Sequence, residues 1–150
     1  MRVTGDELEE FFRELGQFTY YVQHIEWGVR QILMIDEVRR RGNIPAPPEE
    51  AAAIARIFEN KTLGALMGRL EGVPSFPHPM LEALRSLNRE RKHIIHHLAH
   101  AIGEFSTNPA LRKTVVARLV AGHDLASAIN PQLSRYIFEQ AVKDGLEKDR

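Results

Sequence analysis

The sequence contains no cysteine, which excludes disulfide bonds, thiolate zinc sites and cysteine nucleophiles. It has no apolar run of the roughly 18 residues that a membrane helix needs, and residues 1–10 lack the apolar centre of a signal peptide. Lys and Arg number 20, as do Asp and Glu, so the broad basic surface of a duplex-binding protein is also absent. We therefore expect a cytoplasmic protein without membrane contacts, in which any contact with nucleic acid is local.

Several motifs of common enzymes are missing as well. The sequence has no Gly-rich phosphate loop, dinucleotide-binding fingerprint, nucleophile elbow or EF-hand loop, and no internal repeat. Its 43% hydrophobic and 27% charged residues are typical of a domain with one core. We expect a single domain over residues 1–150 that uses no cofactor. Any chemistry is then carried by side chains on regular secondary structure.

Apolar residues recur with a helical period along nearly the whole chain, and no segment is typical of a strand. A capping box at Thr4 starts a long helix that runs to about Arg41. The other predicted helices cover about 49–60, 63–71, 80–104, 110–121 and 132–146. The pattern over 123–129 fits either a loop or a short helical turn. The prediction is an all-α helical bundle of two long core helices and several shorter ones. The aromatic residues of the first helix, Phe11, Phe12, Phe18 and Trp27, are interpreted as core rather than as a base-stacking surface.

An arginine interrupts the apolar stripe of the helix over 80–104. With 3.6 residues per turn, Arg91 lies on the same side as Leu84, Leu87, Ile94, Ile95, Leu98, Ile102 and Phe105. An arginine at such a position needs a carboxylate partner, a solvated cleft or an anionic ligand. Arg91 is therefore either a structural arginine paired with a carboxylate such as Glu26 or Asp36, or part of a functional site.

Four histidines follow their own spacing on this helix. His93, His96, His97 and His100 share one face, centred roughly opposite Arg91. The i,i+4 pairs within this set could chelate a transition metal, but no nearby Cys or Glu-x-x-His motif completes a site, so no metal is predicted.

Polar residues connect the arginine to the histidine face. Asn88, Lys92 and His96 lie about 60°, 100° and 140° round the helix from Arg91. These side chains form a polar strip with positive charge, which is suited to binding a phosphate. A histidine within reach of that phosphate transfers protons near neutral pH. The pattern is therefore compatible with a phosphate-bearing ligand, but it is not specific to one chemistry.

The segment 91–97 resembles the Arg-x4-6-His signature of HEPN domains, a helical family found in many prokaryotic RNase toxins, abortive-infection proteins and CRISPR-associated proteins. Both His96 and His97 fit the spacing. The segment 26–30 is similar to an acidic-x3-basic pattern on an earlier helix of some members, and 61–66 looks like a segment that often precedes the motif helix. Together the similar segments span about the middle two-thirds of the chain.

The resemblance implies a metal-independent endoribonuclease, related to toxins or phage defence and partnered by an antitoxin protein. It implies a homodimer formed through the helix of Arg91 to His97. The ribose 2′-hydroxyl attacks the adjacent phosphate and leaves a 2′,3′-cyclic phosphate. His96, with His97 as second choice, is the general acid or base, while Arg91 stabilises charge on the phosphoryl oxygens.

Four further residues are predicted to bind the substrate: Asn88, Lys92, Glu26 and Arg30. Many active HEPN members have a small polar residue, often Asn, directly after the arginine, and this chain has Lys92 instead. Lysine binds a phosphate as a point charge but lacks the acceptor of Asn. Two alternatives therefore stay open beside the nuclease: a non-catalytic RNA- or nucleotide-binding module, and a dimeric helical interaction protein without a nucleic-acid role.

Overall fold

The structure is a computed structural model that describes residues 4–42, 45–105 and 107–145, and over 99–105 it gives only the course of the helix. These ranges hold five helices and no strand, which confirms the all-α prediction. The helices are α1 (Gly5–Arg40), α2 (Pro48–Phe58), α3 (Leu63–Leu70), α4 (His78–Phe105) and α5 (Pro109–Lys143). No helix of the described chain is both long and apolar enough to cross a membrane.

Side-chain caps fix the starts of three helices. The Thr4 hydroxyl accepts a hydrogen bond from the Glu7 backbone N–H at 3.2 Å, and the Thr4 N–H donates to the Glu7 carboxylate at 2.8 Å. This is the predicted capping box, which satisfies two of the amides left free at a helix start. Thr62 caps α3 and Asn108 caps α5 through their side-chain oxygens.

The last part of the chain differs from the prediction of two helices, because α5 continues through Pro131. A proline inside a helix costs about 3 kcal/mol, since it removes a hydrogen bond and crowds the preceding turn. Burial of Ile129 and Leu133 on either side contributes about 1.5–3 kcal/mol each, which offsets that cost. The Gln132 side-chain amide also donates to the Ala128 carbonyl at 3.1 Å. The continuous buried stripe, not the proline, decides the outcome.

Helix α5 lies at the centre of the packing. Both α1 and α4 pack on it, α1 most extensively, whereas the sequence predicted a core formed by the stripes of α1 and α4. The buried stripe of α1 consists of Phe11, Phe18, Val22, Ile25, Gly28, Val29, Ile32 and Leu33. The interpretation of Phe12 and Trp27 as core is wrong, because their side chains are 61% and 57% exposed. Helices α1 and α4 face each other across a groove.

Gly122 allows the three long helices to approach one another. A Cβ atom built there would lie 2.7 Å from Cε2 of the buried Phe18 ring and 3.5 Å from Cδ1 of Ile94. Nothing lies within 4 Å of the corresponding position at Gly16, which is exposed on α1. Alanine substitutions at Gly122 and Gly16 therefore make a matched comparison of a crowded and an open position.

We expect Gly122→Ala to lower the free energy of unfolding by about 1–2 kcal/mol, because the strain of displacing Phe18 exceeds the gain in helix propensity. Gly16→Ala should raise it by up to about 1 kcal/mol, since alanine only stiffens the helix there. Urea denaturation followed by circular dichroism measures both. A Gly122→Ala protein as stable as Gly16→Ala would contradict the close approach of Phe18.

Candidate functional site

The groove between α1 and α4 is the candidate site and has a volume of about 220 Å³. Its lining consists of Leu15, Phe18, Thr19, Val22, Gln23 and Glu26 from α1 and Arg91, Ile94, Ile95 and Leu98 from α4. Apolar side chains form most of the walls, and among the described residues Arg91 and Glu26 are the two charged ones in the lining. The groove is therefore a largely apolar cleft that contains the predicted catalytic arginine.

Arg91 is half-buried in this groove, and Asn88 holds its guanidinium. The Nε and Nη2 groups of Arg91 donate to Asn88 Oδ1 at 3.3 and 3.2 Å. The two carboxylates expected as partners are paired elsewhere, Glu26 with Arg30 at 3.8 Å and Asp36 with Arg40 at 2.9 Å. Within 4–42, 45–98 and 107–145, no carboxylate forms an ion pair with Arg91. The predicted pairing of Arg91 with Glu26 or Asp36 is therefore wrong.

Glu26 and Arg30 join α1 to the start of α3. The Arg30 guanidinium donates to the backbone carbonyls of Phe58 at 3.2 Å and Lys61 at 2.8 Å. The Glu26 carboxylate accepts the Leu63 N–H at 3.1 Å, one of the free amides at the beginning of α3. Both side chains thus have structural partners, and their role in substrate binding stays a prediction.

The beginning of α3 lies behind Asn88 and Arg91. A Cβ atom at Gly64 would lie 3.4 Å from Asn88 Nδ2 and 3.9 Å from Arg91 Nη2. The three segments that carry the HEPN resemblance, 26–30, 61–66 and 91–97, therefore meet at one end of the groove through Glu26, Gly64 and Arg91. Distant parts of the sequence build this end together.

The predicted histidine face is divided, because α5 covers one side of it. His96 and His97 are exposed, as is Lys92, whereas His93 is half-buried. Nε2 of His93 is inaccessible to solvent and has no hydrogen-bond partner among the described residues, and its ring centroid lies 4.0 Å from that of His97. The side chain of His100 lies outside the described part of the chain. Among the described histidines of this face, His96 and His97 are therefore the two that are exposed to a ligand.

His93 has charged neighbours on two helices. Arg118 of α5 pairs with Glu90 of α4 at 3.1 Å. The pKa of His93 lies below its ordinary value of 6.5, first because burial disfavours the cation and then because Arg118 and His97 oppose a further positive charge. Glu90 acts in the opposite direction and does not outweigh these effects. Protonation of His93 therefore disfavours the folded state.

We expect the free energy of unfolding to fall as the pH is lowered from about 6.5 through the lowered pKa of His93, because the unfolded chain binds this proton more readily. Above pH 6.5 the effect is absent, since both states are neutral at this position. His93→Gln should remove this part of the pH dependence, whereas His78→Gln, at an exposed position at the start of α4, should keep it. Urea denaturation of the three proteins between about pH 5 and 7.5 tests this, and parallel curves for all three would contradict it.

No three His, Cys, Asp or Glu side chains of the described chain are placed to hold a metal ion. No protein-family model, curated protein or solved structure matches this chain. The HEPN assignment therefore rests on the spacing of the motif and stays a prediction.

Sequence reasoning missed the exposed aromatic residues beside the groove. Tyr20 and Trp27 are each 57% exposed, and with Phe12 they lie within an arc of about 80° on α1. The buried Phe11 and Phe18 lie on the other side of that helix. The helical phase of α1 was the available signal, since it separates the two groups of aromatic residues.

Proposed function

We propose that this protein is a HEPN-like, metal-independent endoribonuclease whose site is the groove between α1 and α4. The observation that carries the proposal is the state of Arg91, a half-buried guanidinium held by Asn88 and unpaired with any carboxylate of the described residues. A partly desolvated cation in an apolar cleft attracts an anion more strongly than an exposed one. The planar guanidinium is also well shaped for a phosphate.

In the proposed reaction, a ribose 2′-hydroxyl attacks the adjacent phosphorus and the bond to the leaving 5′-oxygen breaks. A base takes the 2′-hydroxyl proton, an acid protonates the 5′-oxygen, and a 2′,3′-cyclic phosphate remains. His96, or His97 in its place, takes one of these roles, and Arg91 stabilises the charge on the phosphoryl oxygens. Lys92 supplies a second positive charge near the phosphate.

The proposal includes a homodimer. Within one chain, His96 lies about 140° round α4 from Arg91, so the two side chains leave the helix on different sides. A second protomer that packs against the segment 91–97 would add its own arginine and histidines to a shared site. Ile95 supports this arrangement, because its side chain is 52% exposed beside His96 and offers an apolar contact at that position.

A non-catalytic RNA-binding module is the second candidate, and two observations favour it. Lys92 occupies the position where many active HEPN members have Asn, and His96 does not line the groove that contains Arg91. Binding through Arg91 and Lys92 requires no histidine, so this function would survive without the shared site. It predicts salt-dependent affinity for RNA and no cleavage.

The first test is incubation of the purified protein with EDTA, total RNA and a labelled single-stranded oligonucleotide. We expect cleavage with cyclic-phosphate ends by the unmodified protein and by Arg89→Ala, an exposed arginine elsewhere on α4, but not by Arg91→Ala. Salt-dependent binding without cleavage would favour the binding module. If the folded protein neither cuts nor binds RNA, the remaining hypothesis is a helical interaction protein without a nucleic-acid role.

A toxin or phage-defence role, with an antitoxin as partner, extends the proposal. Growth arrest on expression of the unmodified protein, relieved by Arg91→Ala, would support it. Equal growth with both proteins would argue against a toxin.

A further inference from the structure

The groove has an aromatic margin on α1. Tyr20 and Trp27 lie about 60° and 40° round this helix from Gln23, which lines the groove, and both lie in the same direction, toward solvent. The exposed His24 ring contacts the Tyr20 ring edge-on, with centroids 4.4 Å apart. Two large rings are therefore presented to solvent next to the cleft that contains Arg91.

The charges around this margin favour an anionic ligand. Across the groove, α4 contributes Arg91 to the lining, and the exposed Lys92 follows it in the sequence outside the lining. Glu26 is the one carboxylate that the described residues contribute to the groove lining, and it accepts the Leu63 N–H and pairs with Arg30. The exposed acidic residues of α1, Asp6, Glu9 and Glu10, lie near its start, away from this part of the helix.

We propose that Trp27 and Tyr20 form a nucleobase-stacking platform beside the Arg91 groove, and that the ligand is single-stranded RNA. Basic side chains beside exposed aromatic rings are the combination by which proteins bind single strands without strict sequence preference. The inference rests on the proposed function, because it places the phosphate at Arg91. It adds the class of RNA and the residues that hold the bases.

The spacing of the two rings distinguishes a single strand from a duplex. Trp27 follows Tyr20 by seven positions, which is about 10 Å along a helix that rises 1.5 Å per residue. Neighbouring bases in a duplex strand are only about 3.4 Å apart and remain stacked on each other. Two rings at the wider spacing suit bases that are splayed out from an extended strand.

Trp27 reports directly on this platform, because it is the only tryptophan of the chain. Titration of the full-length protein with a single-stranded 12-nucleotide RNA of mixed sequence should quench its fluorescence. A blunt duplex of the same sequence should quench it much less. Quenching that is equal for both, or absent while the RNA binds, would overturn the proposal.

Affinity measurements complete the test. By anisotropy of the labelled oligonucleotide, Trp27→Ala should weaken binding about 5- to 160-fold, the range expected for one lost base stack. Trp27→Phe should retain most of the affinity, and Phe138→Ala, a partly exposed aromatic residue on α5, should retain all of it. In a plot of log affinity against log salt concentration, Trp27→Ala should leave the slope unchanged. Arg91→Ala should make the slope shallower by about 1, because one phosphate contact is lost.

The outcomes separate this inference from the proposed function. If Trp27→Ala cuts RNA at the normal rate and binds it with unchanged affinity, the platform is rejected and the proposed nuclease stands. Quenching and weakened binding without any cleavage support the platform on a binding module. A Trp27→Ala protein that becomes monomeric in light scattering while it keeps its RNA affinity would show that this face binds a second copy, which overturns the inference. If the unmodified protein binds no RNA, both proposals are overturned.

Discussion

Replacing His96 with alanine is expected to lower the rate of RNA cleavage by about 10²–10⁴-fold, the usual contribution of one residue that transfers a proton in the transition state. The side chain is exposed on α4, so its removal takes away no buried contact and the fold should be unaffected. Single-turnover cleavage rates measure the effect, and a thermal unfolding midpoint equal to that of the unmodified protein provides the control.

His97→Ala is the matched comparison, because this neighbouring histidine is also exposed and also fits the spacing. We expect a smaller loss of rate for His97→Ala than for His96→Ala. The reverse order would exchange their roles. Unchanged rates in both variants would mean that any cleavage by the protein does not use this motif.

The second large effect concerns two adjacent isoleucines on α4. Ile94 is 4% exposed and contributes to the core, whereas Ile95 is 52% exposed at the edge of the groove. Ile94→Ala should lower the free energy of unfolding by about 2–5 kcal/mol, because it leaves a cavity. Ile95→Ala should change the stability of a protomer by less than about 0.5 kcal/mol.

Urea denaturation of the two variants, at a low protein concentration, tests whether α4 is oriented with Ile94 toward the core and Ile95 toward solvent. Similar losses for both substitutions would mean that both isoleucines are buried, as the sequence pattern suggested. Light scattering of Ile95→Ala at higher concentration then tests the proposed dimer, which should dissociate more readily than the dimer of the unmodified protein.

Local signals in the sequence predicted much of the fold. The capping box at Thr4 begins the helix that it was expected to begin, and Thr62 and Asn108 cap the helices predicted over 63–71 and 110–121. Each of these side chains bonds a backbone amide of the next turn without help from the rest of the protein. Pro131 was misread for the complementary reason. Its local cost is real, but burial of the stripe on both sides outweighs it, and that burial depends on packing with α1.

The candidate site was only partly predictable. The period of α4 identified Arg91 as a residue on the core side, and the structure places it in a groove there. The period could not show that Ile95 is exposed or that α5 covers His93, because both depend on which helices flank α4. The aromatic margin was missed because Trp27 was assigned to the core together with Phe11 and Phe18, although the helical phase of α1 places it on the other side.

The pairing of α1 with α5 has a consequence for synthesis of the protein. Arg39 bonds to Asp144 across 105 positions of the sequence, and α1 packs most extensively on the helix that is made last among those described. The part of α1 that packs on α5, which includes Phe18 and Gly28, therefore stays uncovered on the ribosome until residues 109–143 have emerged. Contacts between such distant parts of the chain slow folding, so we expect the nascent chain to be prone to aggregation during that interval.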